Sequence, residues 1–136
     1  MIVVLDANAA LEIALNREQA KEFKELLRQS DVVIAPDIFP SEITNSLWKY
    51  ARFAQVSGEK CEQALDYCMD LIDDLIETRS ICREVFAESI KRKHPAYDIF
   101  YLVLARRNNA SILSRDKKMK RLATDMQVEV LGTSTD

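Results

Sequence analysis

Two glycines, Gly58 and Gly132, and one histidine, His94, occur among the 136 residues of this chain. Glycines so far apart cannot build a phosphate-cradling glycine loop or a dinucleotide fingerprint, which need several within one turn. A single histidine excludes paired-imidazole chemistry and the histidine-rich zinc sites. Placed ahead of Pro95, His94 reads as a loop or helix-start residue. The three cysteines, Cys61, Cys68 and Cys82, include no C-x-x-C pair and are odd in number, so they read as reduced packing residues. No serine or cysteine has the setting of a nucleophile elbow. No apolar run approaches the roughly 20 residues that span a bilayer. With no secretory leader expected, the chain reads as cytoplasmic. Carboxylates are what remains to do chemistry.

A chain of 136 residues, 48% apolar and 30% charged, suits a single globular domain over residues 1–136. Apolar runs at Ile2–Leu5, Val32–Ala35, Ala110–Ser114 and Val128–Leu131 read as strands. Helical spacing is expected over Ala7–Asn16, Arg17–Gln29, a segment opening near Pro40-Ser41 and broken at Gly58, Glu59–Ile76, Ile81–Arg92, Ala96–Arg107 and Lys117–Thr124. Near-continuous apolar strands separated by helices predict an α/β domain, its mostly parallel central sheet covered by helices on both faces.

Four acids sit where apolar segments meet loops: Asp6, Glu42, Asp98 and Asp116. Asp6 closes Ile2-Val3-Val4-Leu5, and Asp116 follows Ile112-Leu113-Ser114 by two residues. An acid just past the carboxyl end of a buried parallel strand lies in the crevice where open α/β sheets place their sites. Each acid alone also reads as a helix cap or a partner of the helix dipole. Asp98 fits that reading least, because Ala96–Ala105 is apolar nearly all round and an unpaired charge on a buried helix is costly. Glu42 shares its helix face with Asn45, Ser46 and Lys49 and is also explained by solvation. Should the four converge, their mutual repulsion calls for a hard divalent cation with oxygen ligands. A second acidic series, Glu62, Asp66, Asp70, Asp73 and Glu77, opposes the apolar stripe of its own helix and reads as a solvated face.

The motifs V-V-L-D-A-N at Val3–Asn8, P-S-E-I-T-N-S-L at Pro40–Leu47, A-Y-D-I-F-Y-L-V-L-A at Ala96–Ala105 and I-L-S-R-D-K-K-M at Ile112–Met119 run in order along the whole chain. Together they resemble the PIN-domain ribonucleases, and within them the VapC-type toxins of toxin–antitoxin pairs. The resemblance implies a three-layer PIN-like fold and an endoribonuclease using Mg²⁺ or Mn²⁺. Asp6, Glu42, Asp98 and Asp116 would hold the metal, with Asn8 and Ser114 supporting them. It also implies hydrolysis of an RNA phosphodiester to a 5′-phosphate and a 3′-hydroxyl, a cognate antitoxin and a homodimer. The chain departs from the pattern in three places. Asp-Ala-Asn replaces Asp-Thr/Ser or Asp-x-Ser, Ser114 stands where threonine is commoner, and Lys117, Lys118 and Lys120 follow Asp116 where some members add an acid.

Charge distribution suits a polyanionic substrate although the net charge is −3. Residues 89–125 hold ten Lys/Arg against three Asp/Glu and bracket Asp98 and Asp116. A basic rim beside an acidic site is what a phosphodiester needs, and Arg115, Lys117 and Arg121 are the first candidates for RNA contact. Receiver domains and haloacid-dehalogenase-type phosphatases also place an acid after the first strand, but both leave Glu42 and Asp98 without a role. A PIN-like module that binds RNA or protein without cleaving is the other alternative. Phe39, Trp48, Tyr50 and Phe53, in or near one helix, suit core packing first, then a dimer or antitoxin contact.

Overall fold

A computed structural model describes residues 1–132; the last four residues of the expected 1–136 domain lie outside that range. Four parallel strands make the sheet: β1 (Ile2–Leu5), β2 (Val32–Pro36), β3 (Asp74–Ile76) and β4 (Ser111–Leu113), in the order β3-β2-β1-β4. The helices are α1 (Ala7–Ala14), α2 (Ala20–Arg28), α3 (Phe39–Phe53), α4 (Gly58–Asp70), α5 (Cys82–Arg92), α6 (Ala96–Arg107) and α7 (Lys117–Asp125), with a 3₁₀ turn at Arg79–Ile81.

Strands β1 and β2 are apolar throughout because helices cover both faces of the sheet. Val3, Val4 and Leu5 of β1 are fully buried, as are Ile112 and Leu113 of β4. Helix α6 lies across β1, β2 and β4 with α5 packed on it, while α1 packs with α2, α3 and α4. This is the expected three-layer α/β architecture.

The chain moves outward from β1 to β2 to β3, then returns to pair β4 with the other side of β1. That reversal opens the crevice between the carboxyl ends of β1 and β4. Val3 pairs with Ser111 and Leu5 with Leu113, and the Asp6 backbone N–H continues the ladder to Leu113 O at 3.0 Å. Asp6 and the turn after β4 are thereby side by side.

Two expected elements differ. The helix expected over Glu59–Ile76 ends at Asp70, and its last residues form β3. Asp73 marks the change: its backbone N–H donates to Val33 O, and Asp73 Oδ2 accepts from Val33 N, both at 2.8 Å. Asp73 therefore belongs to the sheet edge and not to the helix, yet it stays exposed, as do Glu62, Asp66, Asp70 and Glu77. Apolar residues at 71, 72, 75 and 76 satisfy helical spacing and an edge strand equally well, with no glycine or proline to separate the two. The strand expected over Val128–Leu131 reduces to a single parallel bridge, Val130 to Ile112.

Candidate active site

Asp6 occupies the N-cap position of α1, yet its side chain caps nothing. It is 5% exposed, and its Oδ2 accepts a 2.8 Å hydrogen bond from the Ser114 hydroxyl beyond β4. Burial is the main reason its carboxyl is pushed from an ordinary 3.8 up to about 7; the Ser114 bond opposes this, and the charges of Asp98 and Glu42 add to it. Three of the four acids thus share one electrostatic neighbourhood although 92 residues separate Asp6 from Asp98.

Ser114 joins the fourth. Its Oγ accepts from the Asp116 backbone N–H at 3.0 Å, so one hydroxyl connects Asp6 to the turn that carries Asp116. Asp116 does cap, accepting from Lys118 N at 3.0 Å at the start of α7. Asn8, on the first turn of α1, braces the same turn: its Oδ1 accepts from Arg115 N at 2.9 Å and lies 3.3 Å from Ser114 Oγ.

Helices α3 and α6 supply the remaining acids. Glu42, in the first turn of α3, takes a 2.5 Å hydrogen bond on Oε1 from the hydroxyl of Tyr101, a fully buried residue of α6. Burial raises the Glu42 pKa, the Tyr101 bond lowers it, and the Asp98 charge raises it again. Asp98 sits in the first turn of α6, three residues before Tyr101 on the same face. Full burial of α6 begins at Ile99, so Asp98 is not the isolated buried charge its apolar neighbours suggest: it is 37% exposed and paired. The partner is His94, whose Nε2 lies 2.9 Å from Asp98 Oδ2. A left-handed residue, Lys93 at φ 55°, ends α5 and turns His94 back toward α6.

The crevice holds carboxylates with amide and hydroxyl oxygens around them, a donor chemistry that suits a hard divalent ion. Among the described residues, however, no three acid, histidine or cysteine side chains are gathered into a group that could hold a metal. The fold brings Asp6, Glu42 and Asp98 into one field and ties the Asp116 turn to it through Ser114, without closing a ligand set.

A sequence model of the PIN domain matches residues 3–125. The chain belongs to the PIN-domain family. Ribonuclease VapC3 of Pyrobaculum aerophilum is 22% identical over 121 residues, which cover 88% of this chain and 92% of that protein. Two solved structures share the fold. PAE2754 from Pyrobaculum aerophilum has a TM-score of 0.70 at 17% identity, covering 93% of this chain and 90% of its own. VapBC2 from Rickettsia felis, bound to a DNA fragment from their promoter, has a TM-score of 0.67 at 18% identity and covers 96% and 97%. Membership in the PIN family sets aside the receiver and phosphatase readings.

The basic segment of this PIN domain divides in two. Lys117 and Arg121 lie exposed on α7, the helix that begins at Asp116, and Arg115 precedes it. Arg92, Arg106 and Arg107 are instead tied to Glu84 and Glu88 in an ion-pair seam between α5 and α6, at 2.6–3.0 Å. Arg106 stands eight residues past Asp98, about 12 Å along the helix axis. Arg106 and Arg107 therefore close a helix interface away from the site, and Arg92 is tied to Glu88 within α5.

The sequence setting gives His94 only a loop or helix-start role, Tyr101 only a place in the Ala96–Ala105 motif, and Glu12 no role. Tyr101 had a signal, its i+3 spacing from Asp98 on an otherwise aliphatic face. Glu12 had none: it is 3% exposed, and its Oε1 takes a 3.1 Å bond from Arg115 NH1, a partner 103 residues away. Among the described residues no helix is long and apolar enough to cross a membrane.

Proposed function

We propose that this PIN domain is a divalent-metal-dependent endoribonuclease and the toxin of a toxin–antitoxin pair. The observation that carries the reading is the Asp6 carboxylate at the end of β1, its pKa raised to about 7 chiefly by burial and further by the charges of Asp98 and Glu42. Such a field favours a cation over a second anion. The ribonuclease name of the Pyrobaculum relative and the VapBC title of the Rickettsia structure support the toxin assignment.

Mg²⁺ or Mn²⁺ held by Asp6, Glu42, Asp98 and Asp116 would supply an acidified water and neutralise charge on the scissile phosphate. The protein's own groups do the positioning. Ser114 orients Asp6 through Oδ2, Tyr101 orients Glu42, His94 holds one oxygen of Asp98, and Asn8 pins the turn leading to Asp116. Arg115, Lys117 and Arg121 are assigned to phosphate contact. A single domain over residues 1–136, a homodimer, a cognate antitoxin and a cytoplasmic setting complete the proposal.

A second reading, a PIN module that binds RNA or protein without cutting, is favoured by the ungathered acids alone. Purified protein incubated with mixed RNAs, with and without Mn²⁺, decides between them. Metal-dependent cleavage that Asp6→Asn abolishes in a folded variant is expected; a wild type inert toward every RNA favours the silent module.

A further inference from the structure

Beside the acid crevice lies a cavity of about 370 Å³ between α1 and α3, within the roughly 300–1,000 Å³ of small-molecule clefts. Leu11 and Tyr50 give it apolar walls, while Asn8, Glu12, Lys49 and Arg115 bring polar groups to it. Asn8 and Arg115 belong to the braced turn of the acid crevice, so the cavity adjoins that site.

The polar groups are mostly donors. Asn8 Oδ1 is committed to Arg115 N and Ser114, which leaves the side-chain NH₂ to offer. Lys49 is exposed and has no ion-pair partner among the described residues. Glu12 is the cavity's acid, but both its oxygens already accept: Oε1 from Arg115 NH1 at 3.1 Å and Oε2 from Gln19 N at 2.8 Å. Its effect is to hold the Arg115 guanidinium against the cavity wall. Tyr50 is fixed in turn by Arg17, whose NH1 donates to Tyr50 Oη at 3.2 Å and whose guanidinium lies 5.6 Å from the ring centroid. A planar, apolar-sided ligand rich in acceptors and attached to a phosphate matches this arrangement.

We infer that the cavity is a base subsite for the nucleotide flanking the scissile phosphate, and that it prefers keto bases (uracil or guanine) over amino bases. This rests on the ribonuclease reading above. The base packs against Tyr50 and Leu11, and its carbonyl oxygens take hydrogen bonds from Asn8, Lys49 and Arg115. Cytosine and adenine turn an amino group toward the cationic donors and reach the Glu12 oxygens only in competition with Arg115 and Gln19.

Binding tests this without cleavage. In the Asp6→Asn host, fluorescence anisotropy compares labelled hexamers of uridine and of cytidine, which carry equal phosphate charge. The uridine hexamer is expected to bind about tenfold tighter. Tyr50→Ala should weaken uridine binding about tenfold. Lys49→Ala, an exposed change that leaves the fold intact, should move the uridine-to-cytidine ratio toward one. Crosslinks from a 4-thiouridine oligomer should map to the α3 peptide containing Tyr50. Equal affinity for the two hexamers, or a ratio unmoved in Lys49→Ala, overturns the subsite. Wild-type cleavage without base preference would remove the subsite and leave the nuclease; neither binding nor cleavage would remove both.

Discussion

Tyr101 Oη stands 2.5 Å from Glu42 Oε1 and joins α6 to α3 at the rim of the acid crevice. The phenol is buried, and burial, together with the Glu42 and Asp6 charges, drives its pKa far upward, so Tyr101 stays a donor at every working pH. A hydrogen bond to a charged group contributes about 1.5–3 kcal/mol. Tyr101→Phe keeps the ring packing and deletes only this bond. Urea unfolding at pH 8 should therefore show a loss in that range, shrinking near pH 4 where Glu42 is neutral. In a Glu42→Gln background the loss should be smaller at pH 8. Equal losses with and without the Glu42 charge would count against an ionised partner.

Asp6 makes stability depend on pH in an unusual direction for a carboxylate. Its folded pKa of about 7 lies above the ordinary 3.8. Between those values the folded protein keeps a proton that the unfolded chain has released. Stability without metal should consequently fall as pH rises from about 4 to 7 and level off above that, by at most roughly 4 kcal/mol from this group. Asp6→Asn removes the buried charge at nearly constant shape. In EDTA the variant should be more stable than wild type at pH 8 and close to it at pH 4.5. A variant with the wild-type pH slope would mean that Asp6 is not the titrating group.

The parts of this molecule that were legible in its sequence are those decided locally. Helix α6 matches its expected bounds because an unbroken apolar run with Pro95 ahead of it admits one element. Asp6 and Asp116 were legible because each ends an apolar strand. Strand β3 was not: whether residues 71–76 continue a helix or pair with β2 depends on Val33, forty residues earlier. The supporting contacts were hidden for the same reason. Tyr101 with Glu42 and Glu12 with Arg115 are separated by 59 and 103 residues, and no spacing rule couples such positions; Ser114, 108 residues from Asp6, is linked to the acids only by the motif resemblance. Charge counts also overstated the basic rim, since Arg106 and Arg107 serve the α5–α6 seam.

Metal should bind the folded form selectively and raise its melting temperature. A ligand at a hundredfold its Kd adds about 2.7 kcal/mol, several degrees for a domain of this size. Asp98→Asn and Asp6→Asn should each reduce the Mn²⁺-induced shift. Ser114→Ala, which unties Asp6 Oδ2 and the turn before Asp116, should reduce it less, and Ser114→Thr should restore it. An ion-induced shift unchanged in both aspartate variants would place the metal elsewhere on the protein.

RNA affinity should depend on the two basic groups very differently. Lys117 and Arg121 are exposed one helical turn apart on α7 and have no ion-pair partner among the described residues. Arg106 is bound by Glu84 and Glu88 at the far end of α6. Each phosphate contact on a single strand contributes about −0.7 to the slope of log affinity against log salt. The double change Lys117→Glu and Arg121→Glu should flatten the slope by about 1.4 if both contacts are lost, weaken binding across sequences and leave the fold intact. Arg106→Gln should do the reverse: the seam loses stability, since Glu84 and Glu88 lose their shared partner, while affinity and salt slope stay at wild-type values. Both variants are read by the same salt titration of a labelled oligoribonucleotide, with a melting curve for each. Wild-type slope in the α7 double variant, or a flattened slope in Arg106→Gln, would move the RNA path off α7.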